Sequence, residues 1–152
     1  MRATGYVRGN IMAESHEIEV YVRFCETDAA GHVNNTSYFF YLEEARTKFF
    51  KVLGFDRDTR ESSLDFILAS TSCDYLSQAY GAQLLKVSTY VSNVGTKSFS
   101  LNHIITDVET DKVIAKGSAV TVCFNYEEQK TEIIPDALRE TLESYLIRSK
   151  VN

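Results

Sequence analysis

"NNTSYFFYLEEARTKFFKVLG", residues 34–54, is where the chain adopts a helical period. Tyr38, Tyr41, Leu42, Ala45, Phe49, Val52 and Leu53 recur at steps of three and four, which places them on one stripe of an α-helix running from about Ser37 to Leu53. Glu44 and Lys48 are spaced i, i+4 on the outer surface, Lys51 suits the negative end of the helix dipole, and Gly54 stands at the position of a C-terminal cap. Phe39, Phe40 and Phe50 lie off the stripe, which predicts a helix wrapped on more than one side.

Upstream, "EIEVYVRF" at 17–24 alternates strictly, with Ile18, Val20, Val22 and Phe24 on one face, as a half-buried strand requires. Downstream lie four β-like runs at 64–76, 83–94, 98–109 and 112–126, separated by "AYGA", "VGTK" and "ETDK". Turns this short predict antiparallel pairing of successive strands as hairpins. A second helix is predicted to begin with Pro135 as its first residue, with Leu138, Leu142 and Leu146 as its stripe. Strand, long helix, four strands and short helix make an α+β domain in which a curled antiparallel sheet of about five strands covers one long central helix. The opening "MRATGYVRGNI" has no periodicity, so these 11 residues are expected to be dispensable, within a flexible extension over 1–15 that precedes a single domain over 16–150.

A length of 152 residues with 44% hydrophobic side chains suits one domain with a substantial core. A net charge of −5 argues against a protein built to hold nucleic acid, which needs a basic stripe. Cys25, Cys73 and Cys123 are odd in number and lack C-x-x-C spacing, so no disulfide framework or metal site is expected, and the thiols point to a reducing, cytoplasmic setting. No run reaches the roughly 18 apolar residues of a membrane span, and the first residues lack the apolar core of a secretory signal.

The segment ahead of the long helix carries the chemistry. "ETDAAGHVNN", residues 26–35, gathers Asp28, Gly31, His32, Asn34 and Asn35 where helix N–H groups are unpaired and the dipole is positive. A carboxylate beside such donors can act on a carbonyl whose oxygen they hold, which suits acyl transfer to water. Gly31 lets the backbone approach a bound group, and His32 and Asn34 are placed to position water or the carbonyl. Serine-hydrolase elbows, H-E-x-x-H, Walker and dinucleotide motifs are not found.

The run "VRFCETDAAGHVNNTSYFFYLEEARTKFF" resembles the signature of hot-dog-fold acyl-CoA thioesterases of the 4-hydroxybenzoyl-CoA thioesterase-like family. By that resemblance Asp28 is the catalytic carboxylate, as nucleophile or general base, and the N–H groups of Asn34 and Asn35 hold the thioester oxygen, with His32 in support. Glu43 and Glu44 correspond to a helix Glu that some relatives use instead, while their spacing also fits an exposed, salt-bridged face. Gly31, Tyr38, and Thr71 and Ser72 on the run 64–76 are implied on the substrate side. Lys97 of "VGTKSF" is implied at the CoA phosphates, with Ser98 beside it on the substrate side, although Gly95 and Thr96 stand where some relatives have arginines. The resemblance further implies an acyl-CoA or acyl carrier protein substrate, no cofactor, and a homodimer or homotetramer with sites shared between subunits. A non-catalytic acyl-CoA-binding module is the competing class. A hot-dog dehydratase would need a differently spaced His and acid pair.

Overall fold

The computed structural model describes residues 2–7, 11–55 and 63–149. Strands β1 (Arg2–Val7) and β2 (Ile11–Tyr21) precede helix α1 (Ser37–Val52). There follow β3 (Leu64–Tyr75), β4 (Leu84–Val94), β5 (Ser98–Asp107), β6 (Val113–Asn125), the short β7 (Lys130–Thr131), helix α2 (Asp136–Ser144) and β8 (Arg148–Ser149). The main sheet path is β1-β2-β4-β5-β6-β3, with every pairing antiparallel. The expected α+β hot-dog arrangement is present, with six strands on that path where about five were expected.

Three local expectations change. β4-β5-β6 is the predicted meander, but β3 and β4 are not a hairpin: β3 pairs with β6 and β4 with β2. "AYGA" therefore belongs to a crossover rather than a tight turn, and its Ala79 is fully buried. The first strand starts at Ile11, not Glu17, and β1 pairs with it from Arg2↔His16 to Val7↔Ile11. Edge hairpins are held by backbone bonds and need no apolar alternation, so this pairing left no periodic trace. The strand also ends earlier, because Arg23 N–H donates to Glu26 Oε1 at 2.7 Å and Thr27 Oγ1 to the Phe24 carbonyl at 2.7 Å, bending Phe24–Glu26 into a 3₁₀ turn. Phe24 is consequently 91% exposed instead of facing the core.

Helix α1 lies within one residue of its expected bounds. Leu42, Ala45 and Phe49 are fully buried against the sheet, and Gly54 takes φ +90° as a left-handed cap, donating its N–H to the Lys51 carbonyl. Phe39 and Phe50 pack at the edges of the core, whereas Phe40 is largely exposed, so the wrapping is incomplete on that side. Pro135 is the residue before α2 rather than its first, and its carbonyl accepts the Arg139 N–H at 2.9 Å. Leu138 and Leu142 are buried; Leu146 lies past the helix, bridged to Val91 beside the irregularity of β4.

The apolar core falls into two clusters. One gathers Val22, Val33, Tyr38, Leu42 and Ile105 toward the start of α1; the other gathers Phe49, Phe99, Leu101, Leu142 and Tyr145 toward its end. Between them the strand register lines up His16, Thr89, His103 and Gly117 across four strands. A Cβ on Gly117 would stand 2.8 Å from Leu42 Cδ1, so glycine is what lets α1 seat this close to β6.

Candidate active site

The polar segment ahead of α1 is held by its own backbone. Asp28 N–H donates to the His32 carbonyl at 2.8 Å and Gly31 N–H to the Asp28 carbonyl at 3.0 Å, closing a turn in which Gly31 takes φ +81°. That conformation is the reason for glycine. Asp28 Oδ1 accepts the N–H groups of Ala30 at 2.8 Å and His32 at 3.2 Å. Oδ2 has no partner among the described residues, so one carboxylate oxygen is fixed and the other is available.

The next residues set the helix entrance. Asn34 Oδ1 accepts Thr36 N–H at 3.1 Å and Thr36 Oγ1 at 3.0 Å, while the Ser37 hydroxyl donates to the Glu26 carbonyl at 2.9 Å. Asn34 N–H, expected at the thioester oxygen, is donated to the Glu26 carbonyl at 2.9 Å. Asn35 N–H has no hydrogen-bond partner among the described residues. Asn34 therefore shapes the entrance, while Asn35 keeps a free N–H and lines the adjoining cavity.

The crossover after β3 packs on this loop. Val33 N–H donates to the Ala79 carbonyl at 2.8 Å, and the rings of His32 and Tyr80 meet edge to face with centroids 5.0 Å apart. A cavity of about 370 Å³ opens there, lined by Asp28, His32, Val33, Asn34, Asn35, Tyr38, Tyr75, Ser77 and Gln78. Tyr38 is almost fully buried, and burial raises its hydroxyl pKa, so it meets the cavity as a neutral phenol. Tyr75, Ser77 and Gln78 have no motif that marks them; only the crossover, invisible in the periodicity, carries them to the site.

The other expected residues lie elsewhere in the chain. Thr71 and Ser72 are exposed on β3, bonding to Ser118. β3 has β6 as its one described strand partner, so its outer edge is open. Lys97 and Ser98 sit where β5 starts, and the register Ser98↔Val122↔Ile67 puts them toward the Leu64 end of β3, whereas Tyr75 is at the cavity. Lys97 Nζ reaches Thr131 Oγ1 at 3.3 Å. Glu44 pairs with Lys48 at 2.6 Å on the exposed face, and neither Glu43 nor Glu44 lines this cavity.

A family model described as the thioesterase-like superfamily matches residues 22–142. The chain belongs to this superfamily. It is 34% identical over 124 residues, 82% of both chains, to the uncharacterized protein YsmA of Bacillus subtilis. It is 27% identical over 127 residues to the long-chain acyl-CoA thioesterase FadM of Escherichia coli, covering 84% of this chain and 96% of that one. Among solved structures, a predicted thioesterase from Bacillus stearothermophilus superposes with a TM-score of 0.77 at 28% identity, covering 87% of this chain and 96% of that one. The matched segment starts at Val22 and thus contains Asp28, the helix entrance and the crossover. Thioester hydrolysis is the activity of this thioesterase. Among the described residues no cluster of His, Cys, Asp and Glu is arranged to hold a metal, and no helix is long and apolar enough to cross a membrane.

Proposed function

We propose that this thioesterase hydrolyses acyl-CoA, with Asp28 as the reacting carboxylate and Asn35 N–H as the donor to the thioester oxygen. The observation that carries the proposal is the division of labour within Asp28: two backbone N–H groups hold Oδ1 while Oδ2 is left at the cavity that Asn35 also lines. Acting as a general base, Oδ2 takes a proton from water as the water oxygen adds to the carbonyl carbon. The carbonyl oxygen gains charge at the Asn35 N–H, and collapse of the adduct breaks the C–S bond, the thiolate then taking a proton. Acting as a nucleophile, Oδ2 adds to the carbonyl carbon and the C–S bond breaks to expel the thiolate, leaving a mixed anhydride that water hydrolyses to the free acid and the regenerated Asp28 carboxylate, with the proton released going to the thiolate. A donor placed at the developing oxyanion contributes on the order of 10²–10³ in rate. The phosphopantetheine arm of an acyl carrier protein presents the same thioester and is the second candidate substrate.

The open edge of β3 supports a homodimer. A 12-residue strand with one unpaired side invites edge pairing. A two-fold along that edge sets the partner's Leu64 end against the Tyr75 end here, which turns the partner's Lys97 toward this cavity. Lys97 then has a route to the CoA phosphates that it lacks within one protomer. The exposed thiol of Cys25 fits a reducing, cytoplasmic setting.

Thiol release from a panel of acyl-CoAs, with the mass of the active species taken by light scattering, tests these points together. The proposal expects turnover of at least one acyl-CoA by a dimer or a larger even assembly. Saturable binding of acyl-CoA without thiol release would assign the chain to the non-catalytic class, and full activity in a monomer would remove the shared site.

A further inference from the structure

The carbonyl of Asn35 has a partner far away in sequence. Asn35 precedes Thr36, the N-cap of α1, so its carbonyl lies outside the helical ladder, and Phe39 N–H donates to the Thr36 carbonyl at 3.2 Å. What Asn35 accepts is the hydroxyl of Tyr75, at 2.9 Å, from the last residue of β3. The N–H end of the same Asn35–Thr36 peptide is donated to Asn34 Oδ1 at 3.1 Å. One peptide unit is therefore clamped at both ends by side chains, one local and one forty residues away. The preceding peptide carries the unused Asn35 N–H and is joined to the clamped one through the Asn35 Cα.

The Tyr75 ring is itself supported. It lies 5.2 Å from the buried ring of Tyr38, tilted by 54°, and its strand position pairs with the buried Ala115. A tyrosine hydroxyl here donates through a single bond whose loss leaves ring packing intact.

We propose that Tyr75 is a positioning residue of the thioesterase: its hydroxyl fixes the Asn35–Thr36 peptide, and through it the aim of the Asn35 N–H at the thioester oxygen. This assignment rests on the proposed role of Asn35. Its consequence is that the donor ahead of α1 is set from β3, so the site depends on a residue of a strand at the edge of the sheet. Desolvation raises the Tyr75 pKa, which keeps the hydroxyl protonated as the donor.

Tyr75→Phe removes the hydroxyl and keeps the ring. On the acyl-CoA turned over by the wild-type protein, kcat is expected to fall by roughly 10-fold with KM within about twofold, because the lost alignment matters when charge reaches the oxygen. In ¹⁵N-labelled protein the Asn35 and Thr36 amide resonances should shift while those of β5 stay in place, which also reports that the variant is folded. An unchanged kcat overturns the assignment, and so does a raised KM at unchanged kcat, which would make Tyr75 a substrate contact. Failure of the proposed function itself reads differently, since the wild-type protein would then release no thiol from any acyl-CoA tested.

Discussion

Two polar regions touch α1, and they are built on opposite terms. At the entrance, Asp28, His32, Asn34 and Thr36 satisfy one another across two to four residues, and one carboxylate oxygen and one N–H are left over at the cavity. Under the middle of the helix, His16, Thr89, His103 and Arg46 are nine-tenths or more buried, brought together from three strands and α1. Thr89 Oγ1 and His103 Nδ1 are 2.9 Å apart, but His103 Nε2, His16 Nδ1 and Arg46 Nη1 have no hydrogen-bond partner among the described groups. Leftover groups beside a cavity are available for chemistry, while leftover groups inside a core cost about 1–3 kcal/mol each. The proposed chemistry draws on the first region, and the second is a weakness in stability.

Acid should separate the two most widely. Burial first, and the Arg46 guanidinium second, push the His103 pKa down to about 3 from 6.5. A group whose folded pKa is depressed binds its proton first in the unfolded chain, so its contribution is whole above pH 6.5 and is lost as pH falls toward about 3. Stability is expected to decline by up to roughly 1.4 kcal/mol per pH unit from this residue, with His16, lowered mainly by burial, acting in the same direction. Urea titrations between pH 7 and pH 4 check this. A free energy of unfolding that stays flat over that range would show that the layer is already hydrated or paired.

Arg46→Met is the next in size. A buried guanidinium whose Nη1 lacks a hydrogen-bond partner is replaced by an apolar chain, which removes an unsatisfied group costing about 1–3 kcal/mol against the loss of an attraction to Glu43. The thermal midpoint should hold or rise, kcat should stay within about twofold, and the acid decline should soften because one cause of the His103 shift is gone. A midpoint lowered by many degrees would reveal a partner for Arg46 that matters to folding.

The smallest effect is expected at Lys97. If the partner's Lys97 approaches the CoA phosphates, Lys97→Glu raises KM a few-fold at low salt, less at high salt, and leaves kcat nearly unchanged. A KM equal to wild type at low salt would leave Lys97 as an exposed side chain near Thr131.

What the amino-acid order disclosed follows the same division. α1 and the meander are encoded by nearest-neighbour periodicity, and the Asp28 turn by residues within eight positions, so both can be read locally. The crossover that brings Tyr75, Ser77 and Gln78 to the cavity cannot, because "AYGA" has the composition of a hairpin turn and pairing is decided by which strands bury their faces best. Asn34 and Asn35 are adjacent and alike in sequence, yet only hydrogen-bond geometry shows that one N–H is spent on Glu26 and the other is not. The polar layer is hidden for a related reason: His16 and His103 each occupy an inward position of an ordinary alternating strand, and only register aligns them through Thr89.

Asp28 carries the proposed chemistry, and Asp28→Asn tests it most directly. Asparagine retains an Oδ1 to accept Ala30 and His32 N–H, so the loop and the thermal midpoint should survive, while the charge needed at the other position is gone. With the acyl-CoA that the wild-type protein hydrolyses best, kcat is expected to fall by at least roughly 10²-fold with substrate still bound. A folded Asp28→Asn protein turning over at the wild-type rate would contradict the role given to this carboxylate, and with it the chemistry assigned to the entrance of α1.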